Sequence, residues 1–159
     1  MPVVYLLTGG NIGNTEQQLS NAARIINLRV GNVIEKSALY KTEPWGNKQQ
    51  QFFLNQVLMV QTDMQPELLM RELLEIEKSM GRMREEKWEP RIIDIDMLLY
   101  DNLILETALL TIPHPHMHER NFVLVPLSEI APQLMHPLLH QTIIQLLWNS
   151  PDKCLVEKM

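Results

Sequence analysis

The sequence predicts an α+β fold with a largely antiparallel sheet, and three observations lead there. Short apolar runs and amphipathic helical stretches follow one another as strand, helix, strand, strand, helix, strand. Both helical stretches carry an apolar stripe with the α-helical repeat. The chain has 159 residues with 45% apolar and 21% charged side chains, which suits one domain, residues 1–159, around one core. The βαββαβ order is that of a ferredoxin-like core, with packed helices on one face and C-terminal additions.

Val3 to Thr8 reads as a buried strand ending at Gly9-Gly10-Asn11, and the glycines from Gly9 to Gly13 read as a tight strand-to-helix turn. Asn14-Thr15 offers an N-cap, Thr15-Glu-Gln-Gln18 has capping-box spacing, and Leu19, Ala22, Ala23 and Ile26 form one helical face that Gly31-Asn32 ends. Val33 to Thr42 predicts a second strand and Phe52 to Thr62 a third. The connection between them is too long for a tight hairpin, and such loops are often functional. Pro66 can open the next helix at its first position, Leu69, Leu73, Ile76 and Met80 form its stripe, and Gly81 suits its C′ position. Ile92 to Leu99 predicts a buried strand, and the Asp101-Asn102 turn leads to Leu103-Ile-Leu105. A short helix is expected over Leu127 to Ile130, stopped by Pro132, and a last one over Thr142 to Trp148.

Composition narrows the function classes. A net charge of −5 supplies no global basic field for nucleic acid. The single cysteine, Cys154, forms no intramolecular disulfide, which fits a reducing compartment. The first residues lack the basic region of a signal peptide, and no apolar run approaches the ~18 residues of a membrane span. The glycine turn is neither a Walker loop nor a dinucleotide fingerprint.

Asp94 and Asp96 are the main candidates for chemistry. Two residues apart in a strand, their carboxylates point to one face while Ile93, Ile95 and Met97 pack the other way. Paired carboxylates suit a hard cation such as Mg²⁺, and Arg91 adds a phosphate-matching fork; the plain alternative is a solvated edge strand with Arg91 as an ion-pair partner. Asn55 sits among apolar residues of the third strand, either to tie down the neighbouring loop or to read a polar heterocycle. Glu77 borders a helix stripe and either faces a ligand or is a half-exposed helix glutamate. Arg82 and Arg84 follow a helix end, where the macrodipole alone favours them. Trp88 either anchors its loop or stacks on a base. His114, His116 and His118 alternate in a Pro-rich segment, where Arg120 makes anion binding a better reading than zinc.

These stretches, in this order, resemble the 6-hydroxymethyl-7,8-dihydropterin pyrophosphokinase family. The resemblance rests on Tyr40-Lys-Thr-Glu-Pro-Trp-Gly46 with Phe53-Leu-Asn55, on Ile76-Glu77 with Gly81-Arg82, on Trp88-Glu-Pro-Arg-Ile-Ile-Asp-Ile-Asp96, and on Ile112-Pro-His-Pro with Glu119-Arg-Asn-Phe122. It implies transfer of pyrophosphate from ATP to the pterin's hydroxymethyl group, with release of AMP, in folate biosynthesis. It further implies that Asp94 and Asp96 hold two Mg²⁺ ions and that Arg82 and Arg91 are catalytic. The pterin would be bound by Thr42, Pro44, Trp45, Phe53, Asn55, Asp94 and Phe122. ATP would be bound by Glu77, Arg82, Arg84, Trp88, Arg91, Met97, Thr111, His114 and Arg120. The expected protein is a cytoplasmic monomer acting on small molecules, with no nucleic-acid or membrane partner and without the fused synthase or aldolase of some relatives. Gly10, Glu43 and Glu89 depart from the family pattern; Glu89 brings a side chain and a negative charge into the arginine loop.

Overall fold

The structure, a computed structural model, describes residues 1–43, 52–81 and 92–159. The elements are β1 (Val3–Gly10), α1 (Thr15–Arg29), β2 (Asn32–Lys36), β3 (Tyr40–Thr42), β4 (Phe53–Gln61), α2 (Pro66–Ser79), β5 (Asp94–Tyr100), β6 (Leu105–Glu106), β7 (Thr111–Ile112), α3 (Asn121–Ile130), α4 (Ile143–Trp148) and β8 (Val156–Lys158). The main sheet runs β5-β1-β4-β3-β8, with β2 also on β4 and every pair antiparallel. That is the ferredoxin-like order expected from the pattern, extended by β8.

Local signals account for the helix ends. Asn14 caps α1 by accepting from Gln17 N at 3.2 Å, and Pro66 occupies the first turn of α2. Gly81 follows α2 with φ of 97°, a conformation in which glycine meets no Cβ penalty. At α4, Thr142 and Gln145 form a reciprocal capping box.

Three expectations are corrected. The strand expected over 33–42 is two strands, because residues 37–39 face only Gln56 and Val57 of β4. The extra residue is accommodated at Ser37, whose N–H donates to Val57 O and whose Oγ accepts from Val57 N, both at 2.9 Å. Gly9 and Gly10 belong to β1, and the left-handed turn before α1 is made by Gly13. The helix expected from Leu127 begins at Asn121 and contains Pro126, since burial of Val123, Leu124 and Leu127 outweighs one missing N–H. The two helices of the core, α1 and α2, share one face as expected, and the added α3 and α4 cover the other. Val4 and Leu6 of β1 pack with α1 and α2, while Tyr5 and Leu7 pack with α3 and α4. A strand apolar on both sides requires two cover layers.

The two layers give two cores. Leu6, Ile26, Leu58, Leu73, Ile76 and Ile95 lie in one; Val57, Leu98, Leu124, Leu127 and Ile143 lie in the other. Each fully buried Leu or Ile contributes about 1.5–3 kcal/mol relative to exposure. A register shift in β5 opposes Leu6 to Met97 and Tyr5 to Leu99. The bulge leaves Asp94, Asp96 and Leu98 on the α3 side and turns Tyr100 to the other, where its hydroxyl donates to Met64 O at 2.6 Å.

Candidate functional site

A cavity of 350 Å³ opens on the α3 face of the sheet. It is lined by Leu7, Gly9 and Gly10 of β1, Thr42 and Glu43, Phe53 and Asn55 of β4, Asp94 and Asp96 of β5, and Arg120 and Phe122 at the start of α3. Strand register builds it. Gly9 lies between Asn55 on one neighbour and Asp94 on the other, and Leu7 lies between Val57 and Asp96. On β3, Tyr40 pairs with Asn55 and Thr42 with Phe53. An aromatic ring, an amide, a hydroxyl and two carboxylates thus meet along adjacent strands, and α3 brings a second ring over them.

Gly9 determines how closely these groups approach. A Cβ at this position would collide with Asn55 Oδ1 and lie 3.2 Å from both Asn55 Cγ and Leu54 O. The missing side chain is the space the Asn55 amide fills, so that amide is held at 7% exposure above the β1 backbone. A glycine inside a strand marks such an approach, a signal obscured here by the neighbouring glycines of the turn. Thr42 Oγ1 is buried with no hydrogen-bond partner among the described residues, although a buried hydroxyl ordinarily has one.

Asp94 and Asp96 are half-buried and share one face, as their spacing requires. Ile95 between them turns into the opposite core at 1% exposure. Its N–H donates to Glu77 Oε2 at 2.6 Å. Glu77 is therefore a buried tie from the last turn of α2 to the backbone between the two aspartates, and not a half-exposed helix residue.

The histidines diverge. His114 N donates to Leu98 O at 2.9 Å, which fastens the segment to β5. Burial, then Arg120, then His116 push the His114 imidazole down to about 4, so it is neutral near pH 7. Its Nδ1 accepts from His116 N at 3.3 Å, which assigns the proton to Nε2. His116 and His118 both approach Glu119, at 3.6 and 3.5 Å. Among the described residues, no group of three or more His, Cys, Asp or Glu side chains is arranged to hold a metal ion. Arg120 stands over the Phe122 ring, 5.8 Å from its centroid, and lines both the cavity and the adjoining hollow around Asp152 and Lys153.

Of the residues singled out in the sequence, Thr42, Phe53, Asn55, Asp94, Asp96, Arg120 and Phe122 come together in this cavity. Met97 does not line it; at 3% exposure it packs in the opposite core. Glu77 is behind the wall, and Thr111 is exposed on β7, paired with Glu106. Pro44, Trp45, Arg82, Arg84, Trp88 and Arg91, like Glu89, lie outside the described residues. Leu7 is a lining residue that the motifs do not include, and Gly9 and Gly10, expected in a turn, line the cavity as part of β1.

The family described as 7,8-dihydro-6-hydroxymethylpterin-pyrophosphokinase (HPPK) matches residues 5–132. The chain is 42% identical over 136 residues to the 2-amino-4-hydroxy-6-hydroxymethyldihydropteridine pyrophosphokinase of Methylorubrum extorquens, covering 85% of this chain and 86% of that one. It is 40% identical over 139 residues to the enzyme of the same name from Aquifex aeolicus, covering 87% and 86%. Against the folic acid synthesis protein fol1 of Schizosaccharomyces pombe it is 40% identical over 152 residues, 95% of this chain but 21% of that one. Among solved structures, an HPPK-DHPS of Plasmodium falciparum superposes with a TM-score of 0.73 at 17% identity, over 94% of this chain and 43% of that one; at that identity the likeness concerns the fold. No helix among the described residues is long and apolar enough to cross a membrane. With the profile match spanning most of the sequence and the relatives near 40% identity, the chain belongs to the 7,8-dihydro-6-hydroxymethylpterin-pyrophosphokinase family.

Proposed function

We propose that this chain transfers the terminal pyrophosphoryl group of ATP to the hydroxymethyl oxygen of 6-hydroxymethyl-7,8-dihydropterin, releasing AMP, as a step of folate biosynthesis. The observation that carries this reading is the convergence of Phe53, Phe122 and Asn55 with Asp94 and Asp96 in one cavity, in a chain of this family. Its volume of 350 Å³ falls within the roughly 300–1,000 Å³ usual for small-molecule sites.

The flat pterin enters between the Phe53 and Phe122 rings, each stacking contact being worth about 0.5–1.5 kcal/mol beyond area burial. The Asn55 amide and the buried Thr42 Oγ1 take the polar edge of the heterocycle; the resemblance adds the backbone of Thr42, Pro44 and Trp45, of which Pro44 and Trp45 lie outside the described residues. The hydroxymethyl group then points to the β5 carboxylates. Its oxygen bonds to the β-phosphorus, the bond from that phosphorus to the α,β-bridging oxygen breaks, and AMP leaves with the electron pair. The hydroxyl proton passes to solvent.

Asp94 and Asp96 offer carboxylate oxygens alone, on one face of a strand, which fits Mg²⁺ bound by one or two carboxylates and substrate phosphates. Two Mg²⁺ ions, when bound there, neutralise phosphate charge and align the acceptor with ATP. The strand pleat sets the spacing of the two carboxylates, and Glu77 holds the intervening Ile95. By the resemblance, Arg82 and Arg91, which lie outside the described residues, would supply fixed positive charge to the transferring group, where charge that need not reorganise is most effective. The resemblance assigns Glu77, Arg84, Trp88, Met97, Thr111, His114 and Arg120 to ATP, and of these the buried Glu77 and Met97 can serve it only indirectly. The neutral His114 acts there as an Nε2–H donor, while Glu77 acts through its bond to β5 and Met97 as a buried member of that strand. The lone Cys154 suits a reducing, cytoplasmic setting.

The test is to combine protein, ATP, Mg²⁺ and the dihydropterin and to separate the nucleotides. AMP formation that requires the pterin is the expected result. Absence of AMP, or AMP formed equally without pterin, would overturn the reading.

A further inference from the structure

The pterin cavity has one wall on α3 and one on the sheet. Phe122 is the second residue of α3, and Phe53 with Thr42 belongs to the sheet. The first N–H groups of a helix have no partner within it, and the residue preceding α3, Arg120, supplies no side-chain cap. The cap comes from 31 residues away. Asn121 N donates to Asp152 Oδ2 at 2.8 Å, and Asn121 Nδ2 donates to Asp152 O at 3.1 Å.

Asp152 is itself held. Its Oδ1 accepts from Cys154 N at 2.9 Å, and its own N–H donates to Ser150 Oγ at 3.2 Å. Two residues beyond Cys154 the chain enters β8, which pairs with β3 so that Val156 faces Thr42. Residues 152–156 therefore run from the first turn of α3 to the strand end that carries Thr42. They bridge the two walls on either side of the cavity. A carboxylate at a helix N-terminus also meets the favourable end of the macrodipole. Burial pushes the Asp152 carboxyl up, but bonds from Cys154, Asn121 and Lys153 outweigh that and hold it below its ordinary value.

We infer that Asp152 is a positioning residue for the pterin clamp: it caps α3 from the C-terminal segment and thereby sets where the Phe122 ring stands relative to Phe53. The inference rests on the pterin reading of the cavity. Asp152 need not touch either substrate.

Two variants test it without depending on each other. Asp152→Ala removes the cap. Asn121→Pro removes the N–H that Asp152 receives, at the helix position where proline is best tolerated. Arg120 before it already has φ −126° and ψ 111°, which a following proline accepts. Each should raise the dissociation constant for the pterin roughly tenfold, the scale of one lost charge-assisted hydrogen bond. ATP affinity should fall less than this, since Arg120, which adjoins the cap, is one of several groups proposed for ATP. Both titrations are repeated in a Phe122→Ala background, where the ring to be positioned is gone. There, Asp152→Ala should add less than about twofold, the limit of additive behaviour being what a shared action violates. Equal weakening of ATP and pterin, or the same loss with and without Phe122, would make Asp152 a general structural residue and overturn the inference. If the unaltered protein bound no pterin, the functional reading would fall first, and the two failures are thus told apart.

Discussion

Replacing Gly9 by alanine tests whether strand register builds the site. The new Cβ would overlap Asn55 Oδ1 and stand 3.2 Å from Leu54 O. Leu54 is backbone of the partner strand, so the strain is relieved chiefly by driving the Asn55 amide out of its slot. Overpacking of this kind costs about 1–3 kcal/mol, and for a chain of this size each kcal/mol lowers Tm by roughly 2–4 °C. The larger effect should fall on binding. An amide that reads the heterocycle through two hydrogen bonds contributes about 0.5–1.5 kcal/mol for each, so pterin affinity should drop on the order of tenfold or more. ATP affinity should hardly change, because the arginines are untouched. Calorimetric titration of the pterin beside a non-hydrolysable ATP analogue reads binding, and a thermal melt reads stability. Unaltered pterin affinity in Gly9→Ala would refute both the slot and the role of Asn55.

The remaining predictions concern charge. Asp94→Ala and Asp96→Ala should each lower turnover by orders of magnitude; near-normal turnover in both would remove the metal role. Arg82→Ala and Arg91→Ala should lower single-turnover AMP formation far more than they raise KM for ATP, and lysine should not restore the rate, since it lacks the planar fork; an unchanged chemical step would leave both as surface charges. Acid should destabilise the fold through His114 and His136, both pushed down to about 4, by burial first, then by Arg120 and His116 for the former and by His118 and His140 for the latter. A histidine held neutral in the fold contributes stability above its unfolded value near 6.5, and that stability is lost as pH falls from about 6.5 towards 4. In His136→Asn the amide oxygen can still receive Leu138 N and Leu139 N, which now bond Nδ1 at 3.2 and 3.1 Å. The fall in Tm between pH 7 and 4.5 should therefore shrink, and an identical fall would clear His136.

Much of the fold was legible because periodicity and caps are local. The α1 and α2 stripes, Pro66 and Gly81 fell where their chemistry predicts. The acid pair was legible because a strand's two-residue repeat fixes which side chains share a face. The misread features have distributed causes. Pro126 hid the first half of α3, whose stability lies in burial against the sheet rather than in helix preference. The break at Ser37 depends on how many residues of β4 lie opposite, which no local pattern states. Gly9 looked like turn material because its neighbours are, and its purpose is visible only once Asn55 is paired across from it. Asp152 and β8 carry no motif, since their partners at Asn121 and Thr42 are 31 residues or more away in sequence.

The central claim is that β- and γ-phosphates leave ATP together and arrive on the pterin oxygen. ATP labelled at the β-phosphorus follows this directly. Incubated with the protein, Mg²⁺ and 6-hydroxymethyl-7,8-dihydropterin, the label should move into a pterin diphosphate in step with one AMP for each pterin consumed. Label retained in ADP, or released as inorganic phosphate or pyrophosphate with the pterin unchanged, would contradict the account.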